Sequence, residues 1–281
     1  MLSAELHHLR TEAQAFLQSH NRTCTPQSVA RHIFGPKRHE DPVAALLVRA
    51  ILDPLADTGR AHDGRWMALD APFLDVPLND TRYAVVDLET TGSLTGVDRI
   101  IEVGIAVLER GEVVKQFSSL CHSKRHVSPR IRKLTGIDPS QLKEAPLFGE
   151  VVPVIIDLLR GTHAFVAHDV RFDMPFLRWE LERHGHVMPD LPALCTLQLS
   201  QSLWPDLDGW RLQDLAGTFA VAHTHPHRAG EDALATAGVL ARAIKDARGL
   251  GAETLSDLYK ITYVSPESAA DDGTMEANAA G

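Results

Sequence analysis

The chain has 281 residues and a formal net charge of -9, from 28 Lys and Arg against 37 Asp and Glu. That balance argues against a basic wrapper holding nucleic acid by Lys and Arg alone, while 44% hydrophobic content allows one medium domain plus something smaller. Cys24, Cys121 and Cys195 are far apart, odd in number and without a CxxC pair, which argues against a disulfide framework or thiolate zinc site and for a reducing cytoplasm. The first twenty residues carry Glu5 and Glu12 and no continuous apolar stretch, so neither a signal peptide nor any membrane span of about 20 apolar residues is expected.

Leu2, Leu6, Leu9, Ala13, Phe16 and Leu17 recur at helical spacing and predict an amphipathic helix. TPQSVARHIFG predicts a second, with Thr25 as cap, Pro26 at the first helical position and Gly35 as stop. EDPVAALLVRAIL repeats the device with Asp41 and Pro42, and Asp63-Gly64 marks a hairpin turn. Residues 1 to 75 therefore read as a small helical, winged-helix-like module. Lys37 and Arg38 offer it a phosphate contact, although so short a basic run is also an ordinary solvated face. DAPFLDVPLND, with Pro72 and Pro77, reads as a linker at about 76–81.

From Tyr83 the pattern changes. YAVVDLE, RIIEVGIAVLE and EVVKQFSSLC read as consecutive strands, the last two joined at Arg110-Gly111. Helices follow near 128–134 and 148–159, then a strand at THAFVAH, a helix at VRFDMPFLRWELERHG, a strand at ALCTL, and helices at RLQDLAGTFA and EDALATAGVLARAIKDA. Strands first, then alternating strands and helices, predict an α/β fold with a mixed sheet flanked by helices. The segment beyond 246 reads as an extension whose small, acidic residues from about 265 predict disorder.

Four acidic residues stand out. Asp87 and Glu89 are two apart on a strand, so they project from one face and raise each other's pKa unless a cation lies between them. Asp173 precedes Pro175 and falls at a helix start; Asp232 falls in the first turn of the last long helix, after His227 in the loop HPHRAG. Taken singly, each is equally what a solvent-facing strand end, a helix cap or an exposed loop supplies. The alternating His223, His225 and His227 suggest zinc only weakly, with no cysteine or fixed further ligand beside them.

The order D-x-E, F-D and H-x4-D, together with DRIIEVGIAVLERG, LTGIDPSQLKEAP, FVAHDVRFD and HRAGEDA, resembles the DEDDh 3'-to-5' exonucleases, the family of the proofreading epsilon subunit of bacterial DNA polymerase III. The likeness covers residues 82–246 and implies a ribonuclease H-like fold. It implies that Asp87, Glu89, Asp173 and Asp232 hold two Mg2+ or Mn2+ ions and that His227 is the general base, an imidazole being able to take a proton near neutrality. Thr90, Thr91, Gly92, His168 and Phe172 become candidates for gripping the terminal nucleotide, with the core as the favoured place for Phe172. Asp169 stands where the family usually has Asn. The implied substrate is the 3' end of single-stranded DNA, with RNA as the alternative and a silent nucleic-acid-binding scaffold as a further one. A polymerase or clamp is a conceivable partner, in proofreading or repair.

Overall fold

The computed structural model describes residues 2–19, 24–36, 42–52, 58–60, 65–68, 74–189 and 191–263. Asp41, the Asp63-Gly64 turn, Lys37, Arg38 and the tail from 265 lie outside the described residues. The chain divides into two compact units, Met1–Val76 with Thr254–Gly281, and Pro77–Glu253.

The first unit contains α1 (Leu2–Gln18), α2 (Pro26–Phe34), α3 (Pro42–Leu52) and a two-stranded antiparallel sheet of β1 (Thr58–Arg60) and β2 (Trp66–Ala68). Thr25 caps α2 by accepting from the Ser28 N–H. Cys24 forms a bridge with Trp66, so the stretch before α2 adds to the edge of the small sheet. Ala13, Leu17, Val29, Ala30, Val48, Ile51, Leu52 and Trp66 make the core.

The larger unit is built on a five-stranded sheet in the order β5-β4-β3-β6-β7, comprising β3 (Arg82–Thr90), β4 (Ile100–Glu109), β5 (Glu112–Leu120), β6 (Ala164–Ala167) and β7 (Ala193–Cys195). β3, β4 and β5 are antiparallel, whereas β6 and β7 run parallel to β3. The tight β4–β5 connection places Arg110 and Gly111 at positive φ, as a hairpin turn requires.

Strand alternation divides β3 between two surfaces. Ala84, Val86 and Leu88 enter a core shared with α6 (Phe148–Leu159) and α7 (Val170–Arg183). Asp87 and Glu89 take the opposite parity, and α10 (Ala229–Gly249) packs on β3, β4 and β5. Its N-terminus reaches the sheet because β4 carries Gly104 there: a Cβ at that position would lie 2.0 Å from the Ala229 carbonyl oxygen. Gly230 makes the reciprocal approach, since its Cβ would lie 2.8 Å from the Ser118 side chain.

Three helices go beyond the elements read from the sequence. α4 (Pro129–Thr135) was expected, but α5 (Pro139–Glu144), α8 (Thr196–Leu203) and α11 (Leu255–Tyr263) were not, and α9 (Leu212–Thr218) is shorter than its pattern. α5 has only six residues, too few for a periodicity, and is defined by its Asp138–Gln141 capping box. α8 starts directly where β7 ends, so ALCTL is strand only as far as Cys195. Leu255, Leu258 and Tyr259 of α11 are buried, in the same compact unit as the N-terminal helices.

Candidate active site

Asp87 and Glu89 lie at the C-terminal end of β3, where the pairing with β4 slips: Glu89 faces Glu102 but Thr90 faces Ile100. The extra β4 residue, Ile101, bends β4 opposite the two acids, a common device beside active sites. Asp173 is brought in by the first turn of α7 and is 4% exposed; it accepts from the Leu88 N–H of β3. Asp232 is supplied by the first turn of α10 and is 8% exposed.

His227, at φ 63, sits at the end of the loop before α10, and its backbone N–H donates to one Asp232 oxygen at 3.1 Å. Ligand atoms of Glu89, His227 and Asp232 all lie within 4.8 Å of one another. Asp87 is close enough to feel the charges of Asp232 and Glu102, and Asp173 that of Asp87. Residues separated by up to 145 positions along the chain thus converge on one spot.

The electrostatics of this spot are adverse without a cation. Desolvation, then Asp232 and Glu102, holds the Asp87 carboxyl well above its ordinary range. Desolvation followed by the charges of Asp87, Asp232 and Glu102 pushes Glu89 up to about 9. Asp173 is raised as well, first by burial and then by Asp87. The nearby cation is Arg228, but its guanidinium is engaged with the buried Glu102, through Nε at 3.1 Å and Nη2 at 2.9 Å. A set of close, unneutralised carboxylate oxygens is the donor chemistry that hard divalent cations such as Mg2+ or Mn2+ require. The residues present fit such ions.

Two positions not anticipated from the sequence hold this arrangement. Glu102 also accepts from the Ala229 N–H at 3.1 Å, so a single β4 side chain ties down both residues that follow His227. His223 Nε2 lies 2.6 Å from the second Asp232 oxygen, and its side chain is only 6% exposed. Asp232 is therefore held on both oxygens, by His223 and by the His227 backbone. The IIEVG segment was visible as a likeness, but nothing in it signalled a partner 126 residues away.

The expected substrate contacts prove more internal. The Thr91 hydroxyl donates to Asp98 and accepts from the Arg99 N–H, and the Thr90 hydroxyl donates to the Gly92 carbonyl. A Cβ at Gly92 would lie 2.5 Å from the Asp98 carboxylate, so glycine permits the closed turn. Both ring nitrogens of His168 are engaged, with the Thr196 hydroxyl at 3.0 Å and the Trp210 carbonyl at 2.9 Å. Phe172 packs against Phe176 and the core. Asp169 adopts the left-handed conformation, φ 82, that Asn and Asp tolerate better than most residues. Its carboxylate is gripped by Arg171 at 2.6 and 2.8 Å, and these bonds keep its pKa below the ordinary range.

A family model described as Exonuclease, of RNase T type, matches residues 84–240. The chain belongs to this exonuclease family. Within it, the 3'-5' exonuclease DinG of Bacillus subtilis is 32% identical over 186 residues, which is 66% of this chain and 20% of that protein. The PolC-type DNA polymerase III of Caldanaerobacter subterraneus is 35% identical over 179 residues, 64% of this chain and 13% of that protein. The chain thus spans only a fifth or less of these relatives. Among solved structures, Exonuclease X in complex with 5' overhanging duplex DNA aligns with a TM-score of 0.50 and 25% identity, covering 65% of this chain and 99% of that one. Escherichia coli Exonuclease I with a dA16 oligonucleotide aligns at a TM-score of 0.56 over 68% of this chain and 45% of that one, and at 18% identity is a likeness of fold.

Proposed function

We propose that the protein is a 3'-to-5' exonuclease that removes nucleotides from the 3' end of single-stranded DNA using two divalent cations. The observation that carries this reading is the meeting of Glu89, His227 and Asp232 ligand atoms beside the carboxyls of Asp87 and Asp173. The likeness to DinG, to a PolC-type polymerase and to a DNA-bound Exonuclease X favours DNA and suits either proofreading or repair. Mg2+ or Mn2+ bound here would lower the pKa of the attacking water and neutralise charge on the phosphoryl oxygens and the leaving 3' oxygen.

Asp87, Glu89, Asp173 and Asp232 would be the ligands for those ions. His227 is exposed at the mouth of the site, where its imidazole accepts a proton from the attacking water as the new P–O bond forms. The bond from phosphorus to the 3' oxygen breaks, that oxygen takes a proton from solvent, and a 5'-mononucleotide leaves a strand shorter by one. Thr90, Thr91 and His168 act through the shape of the pocket wall, because their polar side-chain groups are already satisfied internally, and Gly92 permits the turn that carries the two threonines.

The test is digestion of matched 5'-labelled single-stranded DNA and RNA with Mg2+ or Mn2+ supplied separately. A descending ladder on DNA, absent with chelator and in Asp232→Ala, is expected. Equal or better digestion of RNA would replace the DNA reading, and binding without turnover in either metal would overturn the enzyme reading.

A further inference from the structure

Between Glu112 and Asp138 the chain has no acidic residue, yet it carries Lys115, Lys124, Arg125, Arg130, Arg132 and Lys133. This is a strong local excess in a chain of net charge -9. The last five of these cations lie on the β5–α4 connection and on α4, and all five are exposed, as is His126 between them. The segment is firmly anchored. Val127 inserts between the exposed cations into a small core of Ile101, Ile137 and Leu142, against which Ile131 packs. Ser128 caps α4, and the Thr135 hydroxyl donates to the Ile131 carbonyl.

Two cations are compensated, Arg132 by Asp138 at 3.1 Å and Arg125 by Asp98 at 3.8 Å. Among the described residues no carboxylate pairs with Lys124, Arg130 or Lys133. A hollow of about 290 Å³, lined by Pro129, Arg132, Lys133, Gly136, Ile137 and Asp138, opens on the same surface.

The Arg125–Asp98 contact fixes where this surface lies. The Asp98 oxygen that Arg125 approaches also accepts from the Thr91 hydroxyl at 3.0 Å. Thr91 is two residues beyond Glu89, a distance of roughly 7 Å along an extended chain. The basic surface therefore begins on the order of 15 Å from the catalytic acids, a few nucleotides of strand at about 3.4 Å per stacked step.

We propose that this surface is the track for the phosphodiester backbone of the strand upstream of the terminal nucleotide. The proposal rests on the exonuclease reading given above. It answers a problem specific to this chain: an acidic protein must hold a polyanion, and the metal site can neutralise only the scissile phosphate. Lys124, Arg130 and Lys133 supply uncompensated charge, and the buried Val127 and partly buried Ile131 keep them on a fixed frame. Each phosphate neutralised contributes about 0.7 to the salt slope of single-strand binding, so three such contacts contribute about 2.

The experiment compares the full chain with its Lys124→Gln, Arg130→Gln, Lys133→Gln triple variant and with Lys124→Arg, Arg130→Lys, Lys133→Arg, which keeps the charge. Binding of a labelled 20-nucleotide single strand is measured in chelator between 50 and 200 mM salt, and metal-dependent cleavage of a dinucleotide is measured in parallel. The neutral triple variant is expected to lose about 2 from the log–log salt slope and about tenfold or more in long-strand affinity at the lowest salt. Dinucleotide cleavage should stay unchanged, and the charge-keeping variant should match the wild type in both assays. A slope and long-strand affinity unaltered by the neutral substitutions, with dinucleotide turnover intact, would overturn the track while leaving the exonuclease reading standing. Loss of dinucleotide turnover in the neutral variant would overturn it too, by showing that the substitutions disturb the site. A wild type that cleaves neither substrate would remove the exonuclease reading and the track with it. An unaltered strand slope accompanied by lost binding to a polyglutamate peptide would assign the surface to an acidic protein instead.

Discussion

Gly104→Ala adds one methyl group at the point where α10 rests on β4. The new Cβ would stand 2.0 Å from the Ala229 carbonyl oxygen, 2.2 Å from its carbon and 2.6 Å from the Gly230 nitrogen, all backbone atoms that cannot rotate aside. Restoring an ordinary contact of 3.4 Å requires about 1.4 Å of separation between β4 and the start of α10. Gly104 faces Asp87 across the strand pair, and the helix end that must lift carries Asp232 just after His227. The substitution therefore moves two of the five site residues away from the other three. A misplacement of about 1 Å costs on the order of 10²-fold in rate, whereas overpacking of this kind costs typically 1–3 kcal/mol of stability. We expect kcat/KM on a 5'-labelled single strand to fall about 100-fold or more, Mn2+ affinity by calorimetry to fall with it, and the variant to remain folded by circular dichroism. A variant with wild-type kcat/KM and Mn2+ affinity would refute the reasoning, because it would show that the α10 N-terminus can retreat without disturbing the ligands.

Three other outcomes follow from the same geometry. Glu102→Leu strands Arg228 and the Ala229 N–H; since Arg228 is partly solvated, the loss should sit at the low end for a broken buried pair, about 3 kcal/mol in urea unfolding, and a loss below about 1 kcal/mol would contradict it. His223→Leu removes one of the two groups holding Asp232 and should weaken Mn2+ binding about 10- to 100-fold, with His223→Asn recovering part; equal affinity in all three proteins would count against the role. In chelator, the raised pKa values of Glu89, Asp87 and Asp173 mean that the folded chain holds protons the unfolded chain releases, so stability should decline as pH rises from about 4.5 to about 9. Saturating Mn2+ should remove or reverse that decline, and a melting temperature that rises with pH in chelator would show that these carboxyls are not desolvated as described.

The legible and illegible parts of this chain differ in the range of their physical causes. β3 and β4 were readable because an apolar run of alternating faces is a local signal, as was α10 from its apolar spacing. Asp87, Glu89, Asp173, His227 and Asp232 were weak signals one by one and informative only as an ordered set. The family match bears out that the chain belongs to an exonuclease family. His223 was visible only as one of three alternating histidines that weakly suggested zinc, because what distinguishes it is burial against Asp232, created by the fold. Glu102 was hidden for the same reason: a Glu inside an apolar strand is unexplained until Arg228 arrives from the far end of the domain. The internal bonds of the Thr90 and Thr91 hydroxyls were not visible because their partners, Gly92, Asp98 and Arg99, are set by the turn's closure.

That closure links local structure to the site's charge problem. Asp87, Glu89, Asp173 and Asp232 can be held close together only by a frame whose other contacts resist their repulsion. β3 supplies two of them covalently, and the Leu88 N–H holds a third. The fourth depends on α10, whose start is fastened by Glu102 and admitted by Gly104. Removing either fastening should let the helix end relax outward, since mutual repulsion favours separation. Glu102 makes the logic sharper, for it adds a further negative charge beside Glu89 while its bonds to Arg228 and Ala229 hold the helix in. On the two-cation reading the carboxylates form a preassembled cradle whose electrostatic cost bound cations would relieve, and the affinity for those cations would be drawn from the stability of the α10–β4 contact.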